Sequence, residues 1–203
     1  FKPLPLRSEL EQCMGGVERA GMLSEEEKKW VRRIFSFPEI VASEIMTPRV
    51  AMRCLSEQET GGRAIELVRA EHLSRIPIYR ESPDNIVGVL LAKDLLARMG
   101  EAGAAEAKVG PLAREPFFVP EATTARALLA EMRKRQAHMA IVVDEYGVTT
   151  GIVTIENILE SIVGEIKDEH DSREEKHYEK LADGVYRVDA RLSVADAREE
   201  LGI

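Results

Sequence analysis

The stretch from Gly151 to Asn157, Gly-Ile-Val-Thr-Ile-Glu-Asn, shows the clearest potential for ligand chemistry in this 203-residue sequence. It predicts a strand that ends before a helix, with Thr154 at the helix start and Asn157 three residues later. A helix N-terminus offers free backbone N–H groups and a positive dipole end, which suit a phosphate. The Thr154 hydroxyl can donate to that phosphate, and the Asn157 side-chain oxygen can accept from a sugar hydroxyl. The alternative is a structural cap, since a threonine followed three residues later by a polar residue also begins many helices.

A second candidate group is Ser74-Arg75-Ile76-Pro77, directly before another predicted strand. The Arg75 guanidinium can cross a cleft to a phosphate as a charge-assisted donor. An ordinary surface arginine is an equally good interpretation of Arg75. We interpret His138, in the corresponding stretch of the second half, as a packing or capping histidine, because no carboxylate and serine are arranged around it.

A different version of the first motif occurs earlier in the chain, as Gly88-Val-Leu-Leu-Ala-Lys-Asp94. Leu91 stands where Thr154 stands, so no hydroxyl is available to a phosphate. Asp94 stands where Asn157 stands, and its negative charge alone would repel a phosphate. We therefore expect the cleft with Thr154 to be the better nucleotide site, and the cleft with Asp94 to be weaker or empty.

Catalytic signatures are missing from the sequence. It has no nucleophile elbow, no G-x-x-x-x-G-K-[ST] phosphate loop and no pair of histidines at metal-ligand spacing. An acidic group can attract Mg²⁺ through hard oxygen ligands, although a solvated linker is the favoured interpretation; it consists of Glu165, Asp168, Glu169 and Asp171. The residues thus predict a binding module, with no enzyme activity and no metal bound by the protein itself.

Short strands and helices alternate around these residues. Strands are predicted at Val50–Leu55, Ile76–Tyr79, Ile86–Leu91, Phe117–Val119, Met139–Val143, Gly151–Val153 and Gly184–Val188. Helices are predicted within residues 8–36 and at Gly62–Glu71, Lys93–Met99, Thr123–Gln136, Thr154–Val163 and Ser193–Leu201. Turns are predicted at Ser82–Asn85 and Asp144–Gly147. In the N-terminal region Ser24 caps a helix with Trp30, Ile34 and Phe35 on its apolar face, and Pro38 ends it.

The pattern repeats once at a constant spacing, and no gap is needed from the first helix to the end of the unit. The matching pairs are Ala64 and Ala127, Ile78 and Ile141, and Gly88 and Gly151. A unit of strand, helix, two strands and helix is too small to bury a helix face well alone. We therefore predict an α/β fold in which two βαββα-type repeats pack together around a pseudo-two-fold axis, with clefts between them.

Composition restricts the partners and the compartment. Hydrophobic residues make up 44% of the sequence, charged residues make up 32%, and the net charge is −8. The negative charge disfavours DNA, RNA or an anionic membrane surface as the main partner. Cys13 and Cys54 are expected to be reduced thiols, and the longest apolar run, Ile86–Ala92, is too short to cross a bilayer. Both ends of the chain suggest a fragment of a longer protein.

Several motifs together resemble the CorC/cyclin-M family of magnesium and cobalt efflux proteins, some of them called hemolysin-like. The resemblance covers about residues 8–203. Its motifs are Glu44-Ile-Met-Thr-Pro-Arg49, Ser74-Arg-Ile-Pro-Ile-Tyr79, Asn85-Ile-Val-Gly-Val89 with Lys93-Asp-Leu95, His138-Met-Ala-Ile-Val-Val-Asp-Glu-Tyr-Gly147, Gly151-Ile-Val-Thr-Ile-Glu-Asn-Ile-Leu-Glu160 and Val163-Gly-Glu-Ile166.

The resemblance implies a tandem CBS domain pair that binds ATP or AMP, commonly with Mg²⁺, and forms a homodimer. It implies a helical connector at 1–40 that follows a transmembrane domain, and CBS repeats at 41–104 and 105–167. A charged linker at 168–177 would lead to a truncated CorC/HlyC domain at 178–203. The nucleotide cleft would be lined by Thr47, Ser74, Arg75, Ile76 and Pro77 of the first repeat with Ile152, Thr154 and Asn157 of the second.

One position departs from the family pattern, which usually has aspartate where this chain has Asn157. An aspartate accepts from both ribose hydroxyls with a full charge, whereas asparagine keeps one acceptor oxygen. A hydrogen bond to a charged group contributes about 1.5–3 kcal/mol and a neutral one about 0.5–1.5 kcal/mol. The substitution is therefore expected to weaken binding about tenfold.

Two functional hypotheses from different classes follow. The first is a regulatory CBS pair at the cytoplasmic face of a membrane, which passes nucleotide binding along the connector to a transmembrane domain that moves divalent cations. The second is a CBS protein without a membrane domain that binds and regulates a partner protein. Several apolar segments of about 20 residues upstream of Phe1 would favour the first.

Overall fold

The computed structural model describes residues 24–98, 100–164, 178–182 and 185–188. The chain divides into two units, Phe1–Gly164 and Glu165–Ile203. The second unit contributes an antiparallel hairpin of two strands, Tyr178–Ala182 and Val185–Val188. The predictions for residues 8–23, for the acidic group in 165–177 and for the helix Ser193–Leu201 lie outside the described residues.

The first unit alternates helices and short strands, as its sequence predicts. The helices are α1 (Glu25–Ser36), α2 (Ala42–Ile45), α3 (Gly61–Glu71), α4 (Ala92–Arg98), α5 (Ala125–Arg135) and α6 (Ile155–Val163). The strands are β1 (Thr47–Pro48), β2 (Leu55–Ser56), β3 (Arg75–Arg80), β4 (Ser82–Leu91), β5 (Phe118–Pro120), β6 (Met139–Val143) and β7 (Thr149–Thr154). Single turns of 3₁₀-helix occupy Arg49–Ala51 and Gly110–Leu112.

The strands form two sheets, one for each repeat. The first has the order β2-β3-β4 and the second the order β1-β7-β6-β5. In each repeat a parallel pair is followed by an antiparallel hairpin, β3 with β4 and β6 with β7. The predicted mixed α/β fold with two strand-helix-strand-strand-helix units is confirmed.

The segments that lead into the repeats are exchanged between them. Strand β1 precedes the first repeat in the chain, yet it pairs with β7 of the second repeat. The backbone N–H of Ala42 donates to Thr123, and that of Val109 donates to Glu59, at 2.8 and 2.9 Å. Ala42 is buried in the core of the second repeat and Val109 in the core of the first. The core of each repeat is therefore completed by a residue from the segment that precedes the other repeat.

Three apolar clusters hold the first unit together. Each repeat has a core between its helices and one face of its sheet. A third cluster joins the opposite faces of the two sheets; it contains Met52, Ile86, Val89, Met139, Ile141 and Ile152. Because a buried aliphatic side chain contributes about 1.5–3 kcal/mol, this third cluster is a strong reason for the repeats to stay together.

The predicted gapless correspondence between the repeats is wrong for the first half of each repeat. The helix caps Thr60 and Thr124 are equivalent, and they lie one residue further apart than Ile78 and Ile141. Ile78 lies in the core of its repeat, whereas Ile141 lies in the cluster between the sheets. Gly88 and Gly151 do keep the predicted spacing, and at both glycines another segment approaches the strand closely.

The turns of the two hairpins absorb the difference of one residue. The first hairpin reverses at Glu81, which has a φ of 64°, and the second at a turn in which Asp144 Oδ1 accepts from the backbone of Tyr146 and Val148. A gapless match of residue types therefore aligned side chains that point to opposite faces of the strand, since a shift by one residue exchanges the faces.

Two local predictions are also wrong. Val50–Leu55 is mostly a 3₁₀ turn and an extended link, with Val50 92% exposed, and only Leu55–Ser56 pairs as a strand. Ser82–Asn85 belongs to β4, because the reversal is completed at Glu81, one residue before Ser82. The predicted helix capped by Ser24 is confirmed, including the reciprocal bonds between Ser24 and Glu27.

Candidate functional site

Thr154 and Asn157 lie at the start of α6 and bond to each other. The backbone N–H of Asn157 donates to Thr154 Oγ1 at 3.3 Å, and the backbone N–H of Thr154 donates to Asn157 Oδ1 at 3.0 Å. The Thr154 hydroxyl also donates to Asn157 Oδ1, at 3.1 Å. The capping role considered for this pair is therefore present, and both residues are only half-buried, so that they remain accessible to a ligand.

These bonds fix the orientation of the Asn157 amide. Because Oδ1 faces two donors, the NH₂ group must point away from the cap. Within the described ranges this NH₂ group has no hydrogen-bond partner. The side chain therefore presents donors to a ligand, which suits a phosphate oxygen better than the sugar hydroxyl hydrogen expected from the sequence.

Strand β1 places Thr47 beside this motif, because β1 pairs with β7. Thr47 pairs with Ile152 of β7, and Pro48 pairs with Gly151. A Cβ on Gly151 would lie 2.6 Å from the Thr47 carbonyl oxygen and 2.7 Å from Met46 Sδ. Only glycine allows β1 to approach so closely, which explains why a glycine interrupts the strand.

The four predicted residues at the start of β3 in the first repeat have different environments. Ser74 is exposed directly before β3, and Arg75 is partly buried. Ile76 is fully buried in the core of the first repeat, so its side chain faces away from the second repeat. Pro77 is buried on the other face of β3, opposite Val89. The structure therefore does not bring the Ile76 side chain to the cleft, where only its backbone is available.

Arg75 is the residue of this group that reaches the start of α6. Its Nη1 lies 3.9 Å from Oε1 of Glu156, the second residue of that helix. This ion pair joins the two repeats beside Thr154. Sequence reasoning did not single out Glu156; the signal was the difference from Lys93, its counterpart in the first repeat.

His138 contributes to the same helix start through its backbone. Its carbonyl oxygen accepts from the N–H of Ile155 at 3.3 Å, and Ser74 accepts in the same way from Ala92 at 3.0 Å. The counterpart of His138 is therefore Ser74, whereas the gapless correspondence had paired it with Arg75.

The corresponding region of the first repeat has different chemistry. Asp94, the counterpart of Asn157, accepts from Arg114 Nε at 2.9 Å and from Nη2 at 2.7 Å. Arg114 forms an antiparallel backbone pair with Val89, just as Thr47 does with Ile152. An arginine therefore takes the position of the threonine. Leu91 offers no hydroxyl. The two regions are chemically unequal, and the carboxylate in the first already has a cationic partner.

Metal-ligating clusters and membrane spans are not found in the part of the chain that the structure describes. No group of three or more His, Cys, Asp or Glu side chains converges there. Along the same ranges, no helix combines the length and the hydropathy that crossing a bilayer requires.

Comparisons with known proteins agree with this architecture. The CBS domain model matches residues 42–101 and 109–164. UPF0053 protein Rv2366c of Mycobacterium tuberculosis is 38% identical over 208 residues, covering 100% of this chain and 48% of that protein. The chain thus spans about half the length of the first curated relatives it matches.

Solved structures show the same fold. The CBS domain of the bacterial CNNM/CorC family Mg²⁺ transporter is 43% identical, with a TM-score of 0.75, and the match covers 81% of this chain and 100% of that one. The same domain in complex with ATP is 46% identical, with a TM-score of 0.65, over 69% of this chain and 99% of that one. The exchanged segments, the two unequal repeats and these matches lead to one conclusion: the chain belongs to the CBS domain family, as a tandem pair of the kind found in CNNM/CorC transporters.

Proposed function

We propose that this CBS pair is an adenine-nucleotide-binding regulatory module, and not an enzyme, of a transporter for divalent cations such as magnesium or cobalt. The proposal is supported by three contacts around the start of α6: Thr47 pairs with Ile152, Arg75 reaches Glu156, and Thr154 bonds to Asn157. It is also supported by the 46% identity to a CBS domain that was solved in complex with ATP. The proposed location is the cytoplasmic face of a membrane.

The chemistry of these residues fits an adenine nucleotide. The first turn of α6 and the Asn157 NH₂ group would donate to a phosphate, and the Thr154 hydroxyl can turn from Asn157 to the same ligand. Arg75 would supply the positive charge. The backbone of Ser74, Ile76 and Pro77 and the pairing of Thr47 with Ile152 would form the walls of the cleft, with Ile76 contributing through its backbone alone.

Magnesium fits the site as a companion of the nucleotide. Mg²⁺ prefers a near-octahedral set of oxygen ligands and keeps several waters. Glu156 is a single carboxylate beside the helix start, and among the described residues no three or more His, Cys, Asp or Glu side chains are grouped so as to hold a metal ion. Phosphate oxygens and water would therefore hold a Mg²⁺ ion that enters with ATP.

The proposed homodimer is supported by a pair of exposed leucines. Leu96 on α4 and Leu159 on α6 are counterparts, separated by the same spacing as Gly88 and Gly151, and they are 54% and 46% exposed. Apolar side chains repeated on equivalent helices are suited to a self-complementary interface. Sedimentation of the purified chain tests this part of the proposal; a monomer at all concentrations would contradict it.

The domain boundaries predicted from the sequence belong to the same proposal. The connector at 1–40, the repeats at 41–104 and 105–167, the linker at 168–177 and the C-terminal domain from 178 describe a module between a membrane domain and a further domain. The hairpin formed by Tyr178–Ala182 and Val185–Val188 is compatible with the start of that further domain.

Calorimetric titration with ATP, ADP and AMP, with and without Mg²⁺, tests the nucleotide function. Thr154→Ala is expected to weaken binding about tenfold, because a cap and a ligand donor are lost together. Thr124→Ala is the matched control, since Thr124 caps α5 in the same way, with Oγ1 accepting from Ala127. Equal effects of the two substitutions, or no binding at millimolar nucleotide, would contradict the proposal.

A further inference from the structure

Helix α1 contacts the C-terminal end of α6. The Trp30 indole Nε1–H donates to the carbonyl oxygen of Val163, the last residue of α6, at 3.0 Å. The last carbonyls of a helix have no partner within it, so this bond satisfies a group that would otherwise need water. The Arg33 guanidinium packs on Gly164, where a Cβ would collide with it. Helix α1 therefore caps α6 from outside.

The other end of α6 carries the proposed nucleotide site. Thr154 caps the helix there, and Asn157 lies in its first turn. The nine residues of α6 span about 13 Å, so a single short helix separates the two ends.

Helix α1 is also joined to the site along the chain. Phe37, directly after α1, packs against the core of the second repeat. Thr47 follows ten residues later and pairs with β7. Movement of α1 therefore acts on the site both through α6 and through β1.

We propose that docking of α1 through Trp30 and nucleotide binding at Thr154 and Asn157 are positively coupled through α6; this inference rests on the proposed nucleotide function. A helix of nine residues is marginally ordered by itself. Each of the two contacts orders it, so whichever forms second meets a helix that is already fixed, and its entropic cost is lower. Thermodynamic reciprocity then requires that α1 docking tightens nucleotide binding as much as the nucleotide tightens docking.

Trp30 provides a direct reporter, because it is the only tryptophan of the sequence. It is 41% exposed, which leaves room for its environment to change. The full chain is titrated with ATP while Trp30 emission and its quenching by acrylamide are recorded. Binding is measured separately by calorimetry. We expect quenching to fall as ATP binds, with a midpoint that equals the calorimetric Kd.

Reciprocity is tested by Trp30→Phe, which removes the indole donor and keeps an aromatic ring. This variant is expected to bind ATP about fivefold more weakly. Tyr146→Phe is the control and is expected to keep the original Kd, because Tyr146 lies 89% exposed in the turn of the β6–β7 hairpin, at the far end from Thr154. A Tyr146→Trp probe in the Trp30→Phe background is expected to show no ATP-dependent change.

The outcomes separate the coupling from the function on which it rests. If calorimetry shows ATP binding while Trp30 emission and quenching stay constant, or if Trp30→Phe keeps the original Kd, the coupling is refuted and the nucleotide function stands. An equal response of the Tyr146→Trp probe also refutes it, because the change would then be general. If calorimetry shows no ATP binding, both proposals are overturned.

Discussion

Arg114 in the first repeat holds the position that Thr47 holds in the second, and it binds the carboxylate of Asp94 through two nitrogens. The Arg114 guanidinium therefore already bonds to Asp94, the side chain that corresponds to Asn157. Because both partners are partly exposed, the pair contributes little to stability, about 0–1 kcal/mol. Its main consequence is for binding, since it removes the symmetry that the repeated fold would otherwise give to the two clefts.

This asymmetry predicts the stoichiometry of nucleotide binding. The chain is expected to bind one ATP, and the variant Leu91→Thr/Asp94→Asn/Arg114→Thr is expected to approach two, because it restores the hydroxyl and the amide and removes the arginine. Calorimetric stoichiometry is the measurement. Arg114→Lys is the control and should stay at one. Two equal sites in the unmodified chain would disprove the assignment.

Glu156 is expected to oppose nucleotide binding. Its carboxylate holds Arg75 and places a negative charge where a phosphate would bind. Glu156→Gln should therefore tighten ATP binding about two- to fivefold, the range that a charge at an exposed helix terminus produces. The gain should be larger for ATP than for AMP, because ATP carries more charge. Glu131→Gln is a suitable control on α5, where Glu131 pairs with Lys134 and Arg135 of its own helix. Tighter binding by both variants would mean that net charge alone is responsible.

The close approach of β1 predicts a sharp effect of Gly151→Ala. The new Cβ would lie 2.6 Å from the Thr47 carbonyl, so β1 must shift, and the free energy of unfolding should fall by about 1–3 kcal/mol. ATP affinity should fall with it. Gly100→Ala is the matched control, because a Cβ there meets nothing within 4 Å. Urea unfolding of the two variants is the measurement, and equal stabilities would show that β1 is free to move.

The one-residue difference between the repeats is testable in the same way. Extended to the strands that precede the first helix of each repeat, the gapless alignment pairs Leu55 with Phe118, yet Leu55 is 8% exposed and Phe118 is 45% exposed. Leu55→Ala should cost about 2–5 kcal/mol, whereas Phe118→Ala should cost much less, because the buried counterpart of Leu55 is Val119. Similar losses for both substitutions would support the gapless alignment instead.

Low pH is expected to weaken the cap at the start of α1 and thereby to change the environment of Trp30. The backbone N–H and the hydroxyl of Ser24 bond to Glu27, which holds the pKa of that carboxyl below its ordinary value of 4.5. A lowered pKa means that the stabilisation is complete above the pKa of the unfolded chain and is lost as the pH falls through the folded value. Trp30 emission should therefore change below about pH 4.5. Glu27→Gln should reduce this dependence, and an unchanged acid response in that variant would assign it to other groups.

Much of the fold follows from local sequence signals. The strands predicted at Ile76–Tyr79 and Met139–Val143 and the helix capped by Ser24 depend on neighbours in the chain, and these predictions are confirmed. The cap formed by Thr154 and Asn157, one of the two interpretations of that motif, is present as well. The family resemblance, drawn from extended motifs, is confirmed as well.

The parts that the sequence did not reveal depend on distant contacts. Pairing of Thr47 with Ile152 joins residues from opposite ends of the CBS pair, and no local pattern signals that β1 leaves its own repeat. The contact of Arg75 with Glu156 has the same origin. The one-residue offset was hidden because isoleucine is equally suited to either face of these strands, both of which are buried.

The exchange of leading segments has a consequence for folding. Ala42 completes the core of the second repeat and Val109 completes that of the first, so neither repeat contains all of its own interior. If the chain were cut between the repeats, each half would lack one residue of its own core and would expose one residue that belongs to the core of the other half. Neither repeat is therefore expected to fold alone, and the pair should unfold in a single cooperative transition.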